Sequence, residues 1–203
     1  KPVLGINLGN LGFLTDIPPE ELTSSLVDVV NGNYTIDQRF FLEARINDYK
    51  TTNIALNEIT VHSERVAQLI EYELFLDGKF VYKQKADGLI ISSPTGSTAY
   101  SLSANGPIIH PGVKSISLIP MFPHSLNARP LIVSDETVIE IRVCKKGAAS
   151  VIFDSHNKIK LKSGDTISLE KSKLLLSLIH PKNHNFFNAC REKLGWSSGN
   201  PES

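Results

Sequence analysis

From residue 34 to residue 180 the chain repeats one pattern: short runs of alternating or continuous apolar residues, separated by turn chemistry. Such runs lie at 41–46, 53–61, 72–76, 89–92, 115–119, 131–133, 138–143, 151–153, 158–161, 166–170 and 174–180. Alternation with period two puts one side of each strand into a core and the other toward solvent. Asp77-Gly78 and Ser163-Gly164-Asp165 stand between neighbouring runs and have the composition of hairpin turns. About ten short strands at this spacing predict a β-sandwich or a related pair of all-β layers. With 203 residues, 41% of them hydrophobic, the chain has the apolar material to fill such a core.

The flanks differ. "KPVLGINLGNLGFLT" predicts a buried strand over 3–7, a glycine turn at Gly9 and Gly12 and a second apolar segment. A domain rarely opens on a buried strand, so a preceding part of the protein is expected to be missing. Asp16 and Pro18-Pro19 mark a helix start, and Leu22, Leu26, Val29 and Val30 recur at helical spacing before Asn31-Gly32-Asn33 ends the element. "NHNFFNACREKLGW" returns to helical spacing through Phe186, Phe187, Cys190 and Leu194, with Gly195 as its stop.

Lysine plus arginine and aspartate plus glutamate number 21 each, so no net charge draws the chain to nucleic acid or to an anionic membrane. No apolar run is long enough for a transmembrane helix, and no secretory leader opens the chain. The two cysteines, Cys144 and Cys190, stand far apart and suit a reduced compartment, which predicts a cytoplasmic location.

The densest polar motif is "SSPTGSTAYSLSANGP", residues 92–107, directly after the strand run at 89–92. It lacks the lysine and glycine spacing of a P-loop and the flanking glycines of a nucleophile elbow. What it offers is a series of amides and hydroxyls from Thr95 to Ser103 with Tyr100 among them, suited either to a plain loop or to a ligand wall with an aromatic face. "LNEIT" sets Asn57 and Glu58 side by side in an apolar strand, so one of them faces inward or lies at a sheet end. "KADG" carries Lys85 and Asp87 just ahead of the 89–92 strand, where Asp87-Gly88 also makes a good turn. "PMFPHSLNARP" holds three prolines with Phe122, His124 and Arg129, the chemistry of a rigid connector. "FDSHN" places Asp154 and His156 at a strand end, where a hairpin turn is the plainer account. His180 and His184 are four apart, but Pro181 between them breaks the helical geometry of a metal pair.

Taken in order and spacing, "NLGNLGFLTD", "LNEIT", "DGLIISSPTGSTAYSLSANGPIIHP", "PMFPHSLNARPLIV" and "LIHPKNHNFFNACREKLGW" resemble the bacterial NAD kinases, and the likeness covers essentially the whole chain. The resemblance implies an α/β nucleotide domain joined to a β-sandwich domain, with a C-terminal helix crossing back to the first. On that plan residues 1–36 are the remainder of the α/β domain, 37–179 the NAD-binding sandwich and 180–203 the returning segment. It implies transfer of the γ-phosphate of ATP to the adenosine 2′-hydroxyl of NAD, giving NADP, with a divalent metal such as magnesium and a homodimer or homotetramer. Carried over by position, Asn57, Glu58, Lys85 and Asp87 belong to the dinucleotide site. Thr98, Ala99, Tyr100, Ser101 and Ser103 would wrap the nucleotide, His156 would contact ligand, and Phe122 matches a backbone-contact position. Asn105 stands where the family has the first glycine of S-A-G-G-P, a change that asparagine's tolerance of left-handed dihedrals accommodates. The family's G-G-D-G motif, whose aspartate acts as base on the 2′-hydroxyl, is absent from these 203 residues and is expected upstream, so no catalytic base or metal ligand is assigned within them. Two other classes share features of this sequence. A lipid kinase of the diacylglycerol type would need an apolar acceptor pocket, which the polar Asn57-Glu58 pair and the serine-rich wall oppose. A dinucleotide sensor without catalysis would need only the wall.

Overall fold

The computed structural model describes residues 1–8, 13–15, 17–47, 52–65, 68–144, 149–182 and 184–196. It divides the chain into two compact units, Lys1–Arg39 with Leu176–Ser203, and Phe40–Leu175.

In the first unit, strand β1 (Val3–Leu4) pairs parallel with the end of the long strand β13 (Thr166–Pro181), Val3 opposite Leu178. The buried strand expected over 3–7 is reduced to these two residues, and Val3 remains 46% exposed, β13 being the one partner of β1 among the described residues. The turn expected at Gly9 and Gly12, and Asp16 of the helix start, lie outside the described residues. Helix α1 (Leu22–Val30) follows a 3₁₀ turn at Pro19–Glu21, but none of its residues is fully buried; of the apolar face read from its spacing only Val29 is half-buried. Helix α3 (Phe186–Leu194) forms where the spacing places it. Asn185 caps it by accepting from the Phe187 N–H at 2.9 Å, and Gly195 ends it at φ 65°. Its contact with the N-terminal residues is aromatic: the rings of Phe13 and Phe186 lie 6.1 Å apart, and the Lys193 ammonium sits 4.6 Å from the Phe13 centroid.

The second unit is the sandwich. Its strands are β2 (Tyr34–Ile46, entering from the first unit), β3 (Asn53–Ala55), β4 (Glu58–Ser63), β5 (Ile70–Leu76), β6 (Lys79–Ala86), β7 (Gly88–Ser92), β8 (Ser115–Met121), β9 (Leu131–Ser134), β10 (Ile139–Val143), β11 (Ala149–Phe153), β12 (Asn157–Leu161) and most of β13. One sheet runs β3-β2-β13-β10-β5-β6 and the other β12-β11-β4-β7-β8-β9. Inward residues of both, including Leu42, Val61, Tyr72, Leu89, Ile141 and Phe153, form a single buried cluster. Burying a side chain of this size contributes about 1.5–3 kcal/mol, so the cluster dominates the stability of the unit.

Three details depart from the periodicity. The run at 53–61 is interrupted at Leu56-Asn57, which separates β3 from β4. The runs at 166–170 and 174–180 join into one strand, β13. Strand β6, "KFVYKQKA", has no apolar alternation because it is a sheet edge with five of its eight residues exposed.

Strand β7 is the opposite case, buried at all five positions. Leu89 and Ile91 belong to the inter-sheet core, while Ile90 is buried on the other face. That outer face lies beneath the chain that leaves β7, a 3₁₀ turn at Thr95–Thr98 followed by the short helix α2 (Tyr100–Ser103). A Cβ at Gly106 would lie 3.2 Å from Ile119 on β8, so the returning chain runs close over the sheet there.

Candidate functional site

Antiparallel pairing brings the start of β4 beside the end of β7, Glu58 opposite Ser92, and beside the end of β11, Ile59 opposite Phe153. Three loop segments therefore meet at one end of the second sheet: 56–58, 93–103 and 154–156. The Leu56-Asn57 bend is held from both sides. Asp154 accepts the backbone N–H groups of Leu56 at 2.5 Å, Asn57 at 2.8 Å and Glu58 at 3.1 Å. The carbonyls are taken by Ser93, whose Oγ donates to Leu56 at 2.6 Å and whose N–H donates to Asn57 at 2.9 Å.

Glycine is required at position 96. A Cβ there would lie 2.1 Å from the Asn57 carbonyl oxygen, so only glycine lets the 3₁₀ turn close over the bend. The serine hydroxyls are largely structural. Ser97 Oγ donates to Pro94 O at 2.7 Å and accepts from the Ile109 N–H at 3.0 Å, Ser93 Oγ accepts from the Gly96 N–H at 3.2 Å, and Thr98 Oγ1 donates to Thr95 O at 3.3 Å. These bonds fasten the serine-rich loop to itself and to the bend, leaving its rim as the surface open to a ligand.

On that rim stand Thr98 and Ala99, half-buried, with Tyr100, 44% exposed, and Ser103, exposed. Ser101 is buried instead. Its Oγ has no hydrogen-bond partner and rests against Gly106, where a Cβ would come within 2.3 Å of it. Asn105 adopts φ 59°, the left-handed turn expected of it.

Glu58 is 4% exposed. One of its carboxylate oxygens, Oε2, is buried without a partner. Burial first, and then the nearby negative charge of Asp154, push the Glu58 carboxyl up to about 7, with the Tyr100 N–H opposing the rise. Near neutral pH this group is thus divided between an acid that donates and a carboxylate that accepts. An orphaned buried oxygen costs about 1–3 kcal/mol, a cost that a ligand hydroxyl would relieve.

Of the residues singled out in the sequence, Asn57, Glu58, Thr98, Ala99, Tyr100, Ser103 and His156 gather at this end. His156 is exposed on the turn after β11, its Nδ1 against the Asp154 carbonyl. Lys85, Asp87 and Phe122 do not join them. Asp87 N–H donates to Met121 O at 2.9 Å at the opposite end of β7, roughly 16 Å of strand from Ser92. There Lys85 lines a groove of about 810 Å³ with Lys83, Tyr82, His124 and Arg129. The His124 N–H donates to Lys85 O at 2.9 Å, which fixes the proline-rich connector to the sheet edge. Phe122, at φ 43°, is 79% exposed.

The sequence does little to mark Asp154 apart from a hairpin turn. Its only signal is an aspartate followed by serine at a strand end, and both adopt left-handed backbone, φ 44° and 60°. Among the described residues no three His, Cys, Asp or Glu side chains converge as metal ligands. His180 and His184 stack as rings, 4.0 Å between centroids.

The whole chain can be compared with known proteins. Residues 56–180 match the ATP-NAD kinase C-terminal domain and residues 1–34 the ATP-NAD kinase N-terminal domain. The chain is 45% identical to the NAD kinase of Teredinibacter turnerae over 201 residues, 97% of this chain and 69% of that protein. It is 46% identical to the NAD kinase of Pseudomonas entomophila over 202 residues, 97% of this chain and 68% of that protein. Among solved structures, yeast NADH kinase complexed with NADH superposes with a TM-score of 0.90 at 30% identity, over 98% of this chain and 60% of that one. The NAD kinase of Archaeoglobus fulgidus in complex with ATP gives 0.79 at 31% identity, over 96% and 74%. The fold, the order of motifs and these likenesses agree: the chain belongs to the NAD kinase family.

Proposed function

We propose that this chain holds NAD for phosphorylation by ATP, the acceptor being the adenosine 2′-hydroxyl and the product NADP. The observation that carries the reading is the Asn57–Glu58 bend, pinned on both sides and presenting a buried carboxyl with an unused oxygen beside the Tyr100 amide. A polar group poised to donate or accept suits the hydroxyls of a ribose, and the exposed ring of Tyr100 suits the face of a base. In phosphoryl transfer the protein chiefly positions reactants and stabilises charge, so a rigid wall of this kind is a working part. The polar lining also opposes the lipid-kinase alternative.

Residues 37–179 are assigned as the NAD-binding domain, with Asn57, Glu58, Thr98, Ala99, Tyr100, Ser101, Ser103 and His156 at one end of its second sheet. Ser101 contributes there through packing, being buried against Gly106. Lys85, Asp87 and Phe122 retain their assignment to the dinucleotide site. They lie at the far end of β7, and we propose a homodimer or homotetramer in which one copy's far end completes another copy's site. Magnesium is usually held by one or two carboxylates together with substrate phosphates, and with no cluster of three His, Cys, Asp or Glu among the described residues we assign the divalent metal chiefly to the ATP phosphates. No described helix is long and apolar enough to cross a membrane, and we place the protein in the cytoplasm.

Calorimetric titration of the chain with NAD, with ATP and with a dispersed diacylglycerol tests the reading. Saturable heat with NAD, lost in Asn57→Ala, is expected. Binding of the lipid but not of NAD would overturn it.

A further inference from the structure

Asp154 lies on the turn after β11, almost a hundred residues along the chain from the bend that it touches. Three backbone N–H groups in succession, those of Leu56, Asn57 and Glu58, donate to its two carboxylate oxygens. The Asp154 N–H in turn donates to Glu58 O at 3.1 Å, closing a ring between the two segments. Successive amides can converge on one carboxylate only if the chain between them turns. This is why the 53–61 run breaks into two strands with Asn57 at the corner.

Left-handed backbone at Asp154 and at Ser155 turns the β11 end so that the carboxylate reaches the bend. Such dihedrals are uncommon outside glycine, with aspartate and asparagine among the better tolerated residues. A simple hairpin between β11 and β12 requires none of the three side-chain contacts. Because the oxygens of Asp154 are already engaged by amides, it is poorly placed to act on a ligand directly.

We infer that Asp154 is a positioning residue: its carboxylate clamps the 56–58 bend so that the side chains of Asn57 and Glu58 are presented to the ribose of a bound dinucleotide. The functional half rests on the reading that NAD binds at this bend; the clamp itself does not. Asp154 also places a negative charge near Glu58, so the same side chain that fixes the backbone favours the protonated form of its neighbour.

The test combines amide exchange with a double-mutant cycle on the chain, using Asp154→Asn, which keeps the shape and the left-handed tolerance, and Asp154→Ala. In Asp154→Asn one oxygen is replaced by a donor, so the amides of Leu56, Asn57 and Glu58 are expected to exchange at least tenfold faster while those of Ile90 and Ile119 are unchanged. With NAD as titrant, the dissociation constant should rise about tenfold or more in either variant. That rise should shrink to less than half on a logarithmic scale in the Glu58→Gln background, because residues acting as one unit are non-additive. A purely structural aspartate would give additive effects, and that result overturns the inference. Unchanged exchange at 56–58 also overturns it. If the wild-type chain binds no NAD, the site assignment falls, and the exchange measurement still decides whether Asp154 is a clamp.

Discussion

Glu58→Gln isolates the most perturbed carboxyl of the site. Glutamine has the size of a protonated glutamate and keeps a carbonyl oxygen, but it cannot ionise. The carboxyl is raised from 4.5 to about 7 on folding. Between these values the folded state holds a proton that the unfolded chain has released, so stability falls as pH rises from about 4.5 to about 7. Above that window the full cost of an ionised, buried Glu58 is present, and below it there is none. The raised value corresponds to about 3 kcal/mol, or roughly 6–12 °C of melting temperature for a chain of this size. Glu58→Gln should therefore melt at the wild-type temperature at pH 4 and several degrees higher at pH 8, with the difference growing between. Paired melts of the two proteins at half-unit steps measure this, since the other titrating groups are common to both. A difference that is flat with pH, or one that favours the wild type at pH 8, would refute the account of Glu58. The same shift alters what the substitution does to NAD. At neutral pH the wild type is already substantially protonated, so charge-assisted acceptance by Glu58 should matter at pH 8 and little at pH 6.

Gly96→Ala drives a methyl into the Asn57 carbonyl, which is backbone and has no rotamer to yield; a loss of about 3 kcal/mol or more in denaturant unfolding is expected, together with loss of NAD binding. Lys171 makes an ion pair with Asp135, whose side chain is 3% exposed, and also lies over the Phe40 ring. Lys171→Met strands that carboxylate and should cost about 2 kcal/mol in thermal melts, less than a fully buried pair because Lys171 keeps access to water. A coupled assay of the 203 residues with ATP, magnesium and NAD should detect no NADP, since the sequence holds no G-G-D-G; robust turnover would place the base within it.

Local chemistry was legible where local chemistry decides. Asp77-Gly78 turns with φ 49° and 74°, Asn105 is left-handed, and α3 runs between Asn185 and Gly195. Inter-sheet packing was legible because alternation records a buried face. What periodicity does not record is a contact made across the chain. The bend at Leu56-Asn57 exists because Asp154, 98 residues away from Leu56, takes its amide, and nothing within "NIALNEIT" says so. Strand β6 escaped because an edge strand buries little. The composition of the serine-rich loop suits a plain loop or a ligand wall equally. In the structure Ser93 and Ser97 spend their hydroxyls on Leu56, Pro94 and Ile109, which makes the wall rigid rather than directly liganding.

The most direct test of the central claim is a titration of isotope-labelled chain with NAD, followed through its amide resonances. The account predicts saturable shifts at 56–58, 98–103 and 154–156, one end of the second sheet, joined by 85–87 and 122 where a second copy completes the site. Shifts confined to the groove around Lys83 and Arg129, or none at millimolar NAD, would contradict it.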